Sequence, residues 1–583
     1  MKLSQRPRSK RNQAYVLLMV MVMMAISLVI VTGLSGYSSG NAKLNQRNND
    51  YYLTLAASEA ATEKVLTYIT SDFRDYGDGY VISRLDNYRK LEPKATESPE
   101  WGTFDFMNLA GQKDRTEIQY TALAGFAPMG GSYGTLRASK NRFRILSNAQ
   151  SHNSMDGVVA SVYQDIELAR IPIFQYAVFY NVIMEYTPQP PMVITGPVHC
   201  NTNIYMNPSG SLTFNSAVTS AGSIVNGPNP VGPFGDLGGS LTYKTPPVSG
   251  VSALTLPIGT NNSPAAVQQV LVVPPAAENP LSSMGLQRYY NQADIIILVS
   301  NATVTAKSGL WNNFATPISA SETLTFVSAT NTFYNKREAK TIKSIDIDVA
   351  RLVQYNLTNT LFRVPFPILP YGDIRTVYVA DFRTMAATNE SGVRLINGAN
   401  LPPQGLTVAT ASPLYILGDY NITAAGWGTT NTIGTMPASV AADAVTVLSP
   451  AWRDTNSIKS LSSRIATNST VNAAILTGIV ATTAASDSGG VENFPRFLED
   501  WTSKTLTYNG SMVGMFYSMI GTGLWLGIGS TYDIYNPPNR NWALDQNFSN
   551  SSKLPPATPS LAILNRAAWR TPAAYTTNVI AGF

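Results

Sequence analysis

The chain is poor in the residues that build catalytic and metal centres. It has one cysteine, Cys200, and two histidines, His152 and His199. A single cysteine allows no intrachain disulfide and no thiolate zinc or iron–sulfur cage. Two histidines leave out histidine-rich metal sites. Charge is scarce too: Asp, Glu, Lys and Arg make up 13% of the 583 residues, about half the usual share. The polar surface must come from Ser, Thr, Asn, Gln and Tyr. The net charge of +5 does not describe a basic face either. Lys2, Arg6, Arg8, Lys10 and Arg11 all precede the first acid, and the 41 basic residues less these five equal the 36 acidic ones. No nucleic-acid interface is indicated. The glycine run Gly521–Gly529 has no following Gly-Lys-Ser/Thr, and H-E-x-x-H is absent, so neither a phosphate loop nor that zinc-hydrolase signature applies. No cofactor is expected.

What is present begins with an apolar run. Ala14 to Val31 (AYVLLMVMVMMAISLVIV) carries no charge, and none follows until Lys43. About 20 apolar residues span a hydrocarbon core as a helix, which closes its own backbone hydrogen bonds. Ala14, Leu17, Leu18, Val22, Ile26 and Val29 are the candidate anchor residues. The basic leader favours a cytoplasmic N-terminus, with everything after Gly33 on the far side. A cleaved secretory signal is the rival reading.

The helix is expected to continue. No proline occurs between Asn41 and Ser71, and YYLTLAASEAATEKVLTYIT is rich in helix formers. A continuous helix from Ala14 to Thr70 would measure about 85 Å, with Gly36–Gly40 as the place for a bend. This order of basic leader, apolar helix and Ala-Ala-Ser-Glu-Ala-Ala-Thr-Glu-Lys-Val-Leu (Ala56–Leu66) resembles the N-terminal domain of PilX-type minor pilins of type IV pilus systems. The resemblance covers about residues 8–70. It implies a helix that sits first in the inner membrane and can then pack within a pilus or pseudopilus beside other pilin subunits. It also implies helix-packing roles for Ala56, Ala57, Glu59, Ala60 and Ala61. Such chains carry Gly before the processed bond and Glu five residues into the mature helix. Here Asn12 and Gln13 precede Ala14, and Leu18 holds the Glu position.

Beyond the helix the chain is β-patterned. It divides into a basic cytoplasmic leader (1–13), a transmembrane helix (14–35), a helical extension (36–70) and a mixed β-rich region (71–189). Rungs like those of a β-solenoid (190–240), a Pro/Ala/Ser-rich excursion (241–292), a second β-rich region (293–430) and a mixed region with a proline-rich tail (431–583) follow. In 190–240, Ile204, Leu212, Phe214, Val218 and Ile224 are spaced as inward residues, and Asn201, Asn203, Asn207, Asn215 and Asn226 fall near turns. The fold class expected is mainly β with a long N-terminal α-helix and a large extracytoplasmic body of irregular β-solenoid-like rungs. β-sandwich domains are the alternative. The later stretch either continues a solenoid broken by 241–370 or forms a separate β domain. Phe494, Phe497, Leu498 and Trp501 have the spacing of a short amphipathic helix. The uncharged segment 511–530 reads as buried strands, with a second membrane span as the lesser reading.

Downstream strings, including GPVHCNTNIYM (196–206), GLTVATASPLYILGDYN (405–421) and ENFPRFLEDW (492–501), resemble large bacterial envelope proteins that join a PilX-like N-terminus to a β-rich extracellular part. That resemblance implies location and architecture, not chemistry.

Candidate chemistry is thin. His199 and Cys200 are adjacent on a strand and so face opposite ways, which argues against a catalytic pair. His152 lies in a polar loop. Asp346 and Asp348 share a strand face and suit a solvent-facing edge or a salt bridge to Arg351 better than calcium or acid–base work. Asp381 and Arg383 read as a local pair, Glu499 and Asp500 as helix surface or salt-bridge partners, and Asp419 as a turn residue. The expected function is therefore a non-catalytic structural or interaction protein of a pilus-like system, with no catalytic, cofactor or metal residues. Its partners would be the inner membrane, pilin or pseudopilin subunits and a surface or glycan. The alternative is a membrane-tethered envelope enzyme or glycan-binding protein, for which two carboxylates should converge in a cleft.

Overall fold

The structure, a computed structural model, describes residues 11–130, 134–154, 157–309, 315–359, 361 and 373–575, with backbone alone at 11–14 and 124. Most of the leader, residues 1–10, lies outside the described residues. The helix α1 (Arg11–Tyr76) has 66 residues, about 100 Å at 1.5 Å per residue. It runs unbroken through Gly33, Gly36 and Gly40, where a bend was expected. Each glycine weakens a helix by about 1 kcal/mol but keeps its N–H, and no proline interrupts the ladder.

α1 is used in two parts. From Tyr15 to Asn49 every side chain is exposed. From Thr54 onward a stripe of Ala57, Ser58, Ala61, Thr62, Val65, Leu66, Ile69 and Phe73 is buried. It lies on an antiparallel sheet of β1 (Phe104–Met107), β2 (Glu117–Pro128), β3 (Arg137–Ser151) and β4 (Val159–Pro172), closed on β4 by the remote strand Ser560–Arg570. Val65, Leu66, Ile69 and Phe73 meet Ile118, Phe143, Ile145, Ile166 and Leu168. Ser58 reaches into the sheet itself. Its hydroxyl donates to Ser147 O at 2.8 Å and accepts from Val162 N at 3.0 Å, across a paired position of β3 and β4.

The body is built from parallel strands stacked turn on turn. β5 (Val178–Tyr180), β6 (Met184–Tyr186) and β7 (Met192–Ile194) form one turn; β8 (Val198–Cys200), β9 (Ile204–Met206) and β10 (Ser211–Phe214) form the next. β11 (Val218–Ser220), β12 (Ile224–Asn226) and β13 (Ser240–Tyr243) follow, and β14 (Val248–Ser249) ends the stack. Val178, Val198 and Val218 lie side by side, as do Met184, Ile204 and Ile224. The turn length is 20 residues for the first two steps. Side chains at a given place recur in stacked rows: Asn201 donates to Asn181 Oδ1 at 2.8 Å, and the rings of Phe179 and His199 stack at 5.4 Å.

One wall of this stack is a 12-stranded open sheet that includes both halves of the chain. Its order is β14, β11, β8, β5, then Met512–Tyr517, Ala474–Ile479, Ala438–Ala442, Leu406–Thr410, Thr376–Asp381 and Ile295–Val299. An antiparallel pair, Val304–Ser308 and Pro317–Ile318, ends it. The later half of the chain thus starts at the far end and stacks back until it meets β5. A sandwich would pair antiparallel; from β14 to Ile295–Val299 the pairing is parallel. The excursion 241–292 is ordered here. It supplies β13 and β14, then lays Leu254, Leu256, Ile258, Val267, Val270, Leu271 and Tyr289 on the outside of the wall, against Phe179, Tyr378, Leu476 and Met515.

Two expectations are corrected. Phe494–Trp501 is not a helix. Arg496 N donates to Val445 O, and Val447 N donates to Arg496 O, both at 2.9 Å, so strand pairing takes the backbone and overrides the helical spacing. Phe494, Phe497, Leu498 and Trp501 are buried all the same. In 511–530, only Met512–Tyr517 is a strand. The residues after it turn on Asp443, whose carboxylate accepts from the N–H groups of Met519, Ile520 and Gly521.

The closing strand is a testable feature. A chain ending at Pro559 leaves the outer edge of β4 unpaired. It should melt several degrees lower and gain rapid amide exchange along Val159–Pro172, while the central strand Ala438–Ala442 stays protected.

Candidate functional site

Two features stand out, the long helix and the junction where the halves of the stack meet. Among the described residues α1 is the one helix long and apolar enough to cross a membrane. Leu17, Leu18, Val22, Ile26 and Val29 are 50–69% exposed and touch nothing in the body. Ala14 lies in the helix, but its side chain is outside the described residues. The small residues are divided. Ala57 and Ala61 are buried beside Phe106 and Ala149 of the sheet; Glu59 and Ala60 are half-buried and Ala56 is exposed. Small side chains here let the sheet approach the helix axis.

The junction between the halves, here called the seam, has a different character on each wall. On the first wall β5 pairs in parallel with Met512–Tyr517 through Val178–Met512, Phe179–Val513 and Tyr180–Gly514. A Cβ at position 514 would come within 3.0 Å of the Tyr180 ring, so glycine suits that place. On the second wall β6 pairs with β9 alone, and side chains bridge the gap. Glu185 Oε1 accepts from Asn229 Nδ2 at 2.8 Å, and its Oε2 accepts from the hydroxyls of Thr482 and Ser488, each at 2.5 Å. Glu492 accepts from Thr187 N at 3.0 Å and Thr187 Oγ1 at 2.7 Å. Asp487 accepts from Gly489 N at 2.7 Å. On the third wall Leu544 covers Gly196 (φ 114°), where a Cβ would lie 2.8 Å from its methyl.

Burial sets the electrostatics of the second wall. Desolvation, less the effect of the Thr187 bonds, pushes Glu492 up to about 7. Burial and the neighbouring Glu185 push Asp487 up to about 6. On the later half's side of the gap Arg496 pairs with Glu338 at 2.8 Å. Arg337 donates to Gly523 O at 2.9 Å, and burial and the nearby Arg496 push it down to about 9. Glu185 and Asp487 line one narrow crevice together with Tyr205, Asn207, Asn229 and Phe234. Both oxygens of Glu185 are occupied by donors within the chain, so as it stands the crevice works as a clamp between halves.

The remaining candidates are structural in their surroundings. His199 is buried, faces outward onto Phe179, and hydrogen-bonds Thr219 and Asn201 at 2.9 and 3.0 Å; burial pushes it down to about 4. Cys200 faces the interior, where burial pushes its thiol up to about 11. His152 is half exposed beside Asp105 at 2.9 Å. Asp346 is buried in a pair with Arg394 at 2.6 Å, whereas Asp348 caps a helix and lies 3.5 Å from Arg351. Asp381 and Arg383 pair at 2.7 Å. Asp419 accepts from Thr470 N at 2.8 Å. Glu499 is not helix surface: it is buried and accepts from Ser449 N and Oγ at 2.6 and 2.7 Å.

Sequence reasoning missed the seam carboxylates Glu185, Asp487 and Glu492. It also missed the 20-residue repeat, although AVFYNVIMEY (177–186), PVHCNTNIYM (197–206) and AVTSAGSIVN (217–226) align without gaps. No family model matches the chain, and neither curated proteins nor solved structures yield a match.

Two substitutions test these assignments. Ala61→Leu overfills the helix–sheet contact and should cost about 1–3 kcal/mol, whereas Ala56→Leu should stay within about 0.5 kcal/mol. Glu185→Ala leaves three donors without their acceptor and should cost about 2–4 kcal/mol. Urea midpoints of the full chain in detergent measure both.

Proposed function

We propose that the protein is a non-catalytic structural or interaction protein of a type IV pilus or pseudopilus-like system. Its N-terminal helix anchors it in a bacterial inner membrane, and its body projects to the far side. The observation that carries this reading is the division of α1. Its apolar first part has every side chain from Tyr15 to Val31 exposed, and such a surface is stable in lipid or within a bundle of helices but not in water. Its second part is held on a sheet, so the anchor and the body move as one piece. The order of leader, apolar helix and Ala-rich helix resembles PilX-type chains, which supports the pilus setting.

The body is read as an irregular β-solenoid. In-register parallel pairing, 20-residue turns and rows of stacked Asn and aromatic residues support this reading. A solenoid offers a long rigid surface suited to display at a filament or cell surface. Pilin or pseudopilin subunits, the membrane and a surface or glycan are the partners it would meet.

Fractionation and exact mass test the proposal. A mature chain starting near Ala14, found in sheared filaments, supports the pilus setting. An intact chain held only in membranes keeps the anchor and removes the filament. A wholly soluble chain overturns both. Leu18→Arg with Ile26→Arg, each costing about 2.5–3.5 kcal/mol at a helix centre, should release most of the protein from membranes.

A further inference from the structure

We propose that the seam is a proton-controlled joint, closed in acid and loosened above neutral pH by repulsion among carboxylates that its two halves bring together. The geometry comes first. Among the described residues only the first wall is hydrogen-bonded across the seam by strands; β6 and β7 pair with β9 and β10 and with no strand of the other half. The second wall is held by acceptors on Glu185 of one half, bonded to Thr482 and Ser488 of the other, and by Glu492 bonded to Thr187. Asp487 lines one crevice with Glu185 and with Thr187, the partner of Glu492. Among the described residues none of these three carboxylates has a Lys or Arg nitrogen within salt-bridge distance, although the neighbouring Glu338 does.

The facing groups offset the cluster only in part, Arg540 favouring the charged form of Glu492. Arg496 is committed to Glu338 and to Gly521 O, Arg337 to Gly523 O, and Arg540 to the backbone carbonyl of Glu492 and to Asn493. Tyr180, Tyr186, Tyr517 and Tyr535 also face the cluster, and burial pushes each phenol up, so they stay neutral. With all acids ionised, three guanidinium groups meet four carboxylates. In acid, Asp487 and Glu492 are neutral, the balance turns positive, and Glu185 no longer faces a charged carboxylate at Asp487.

The sign follows from linkage. Burial raises Glu492 to about 7 and Asp487 to about 6. The closed joint therefore binds protons that an opened, solvated joint releases between their ordinary values and these raised ones. Closure is fully favoured below the ordinary carboxylate range. It weakens as pH rises to about 7, by up to roughly tenfold per pH unit for each group.

Hydrogen exchange of the full chain in detergent, read from pH 5.5 to 8.5 and corrected for the intrinsic rate, tests this. The opening constant of segments 177–187 and 480–493 should rise at least tenfold, while Ala438–Ala442 stays flat. The variant Asp487→Asn with Glu492→Gln should abolish the slope. Glu499→Gln, which removes a buried carboxylate bonded to Ser449 rather than to the crevice, should leave the slope as in the parent chain. If the double variant does not fold, Glu492→Gln alone must reduce the slope. A seam with no pH slope, an equal slope along the whole stack, or a slope unchanged by removing these carboxyls overturns the proposal.

Discussion

Parallel strands cannot be joined by a tight turn, and this constraint governs the body. Each strand of a parallel pair must travel around the stack before it meets its partner. In the first turns, three short strands with Gly and Asn at the corners make that circuit in 20 residues. The interior is then filled by rows of equivalent side chains, and each row is continued by the next turn. A stack built in this way can also be assembled out of chain order. The later half begins at Ile295–Val299 and returns to β5, so the centre of the wall joins Val178–Tyr180 to Met512–Tyr517, more than 330 residues apart in sequence.

That arrangement brings a cost at the join. Within the first half, neighbouring turns grew from one continuous chain and share register on all three walls. At the seam only one wall keeps strand pairing. The second wall relies on Glu185, Glu492 and their hydroxyl, amide and backbone donors, and the third on the fit of Leu544 over Gly196. Buried acceptors of this kind give direction and specificity, but they carry charge into a region of low polarity. The pH behaviour proposed for the joint is a consequence of closing a parallel stack with side chains where the backbone is not paired.

The same economy appears in the helix. One 66-residue element serves two solvents. Its first part, Tyr15 to Asn49, is exposed, and its second is bound by Ser58, Ala57, Ala61 and a row of larger apolar residues to a sheet. The last strand of the chain, Ser560–Arg570, completes that sheet on β4, and Arg566 reaches Glu63 of α1 at 2.9 Å. The second part of α1 and Ser560–Arg570, remote in sequence, are thereby tied to one sheet.

The amino-acid sequence by itself determined the elements governed by local rules. The uncharged run at Ala14–Val31, the helix beyond it, the inward spacing of Ile204, Leu212, Phe214 and Val218, and the opposite faces of His199 and Cys200 all follow from periodicity and composition. Only the tertiary structure decided the rest. Gly36–Gly40 stays helical because nothing competes for its backbone. Phe494–Trp501 loses its helical pattern because Val445 and Val447 take the peptide groups of Arg496. Glu185, Asp487 and Glu492 look like ordinary surface acids in sequence. They become a buried cluster because two segments some 300 residues apart are stacked side by side, and long-range pairing of that kind leaves no periodic mark on either segment.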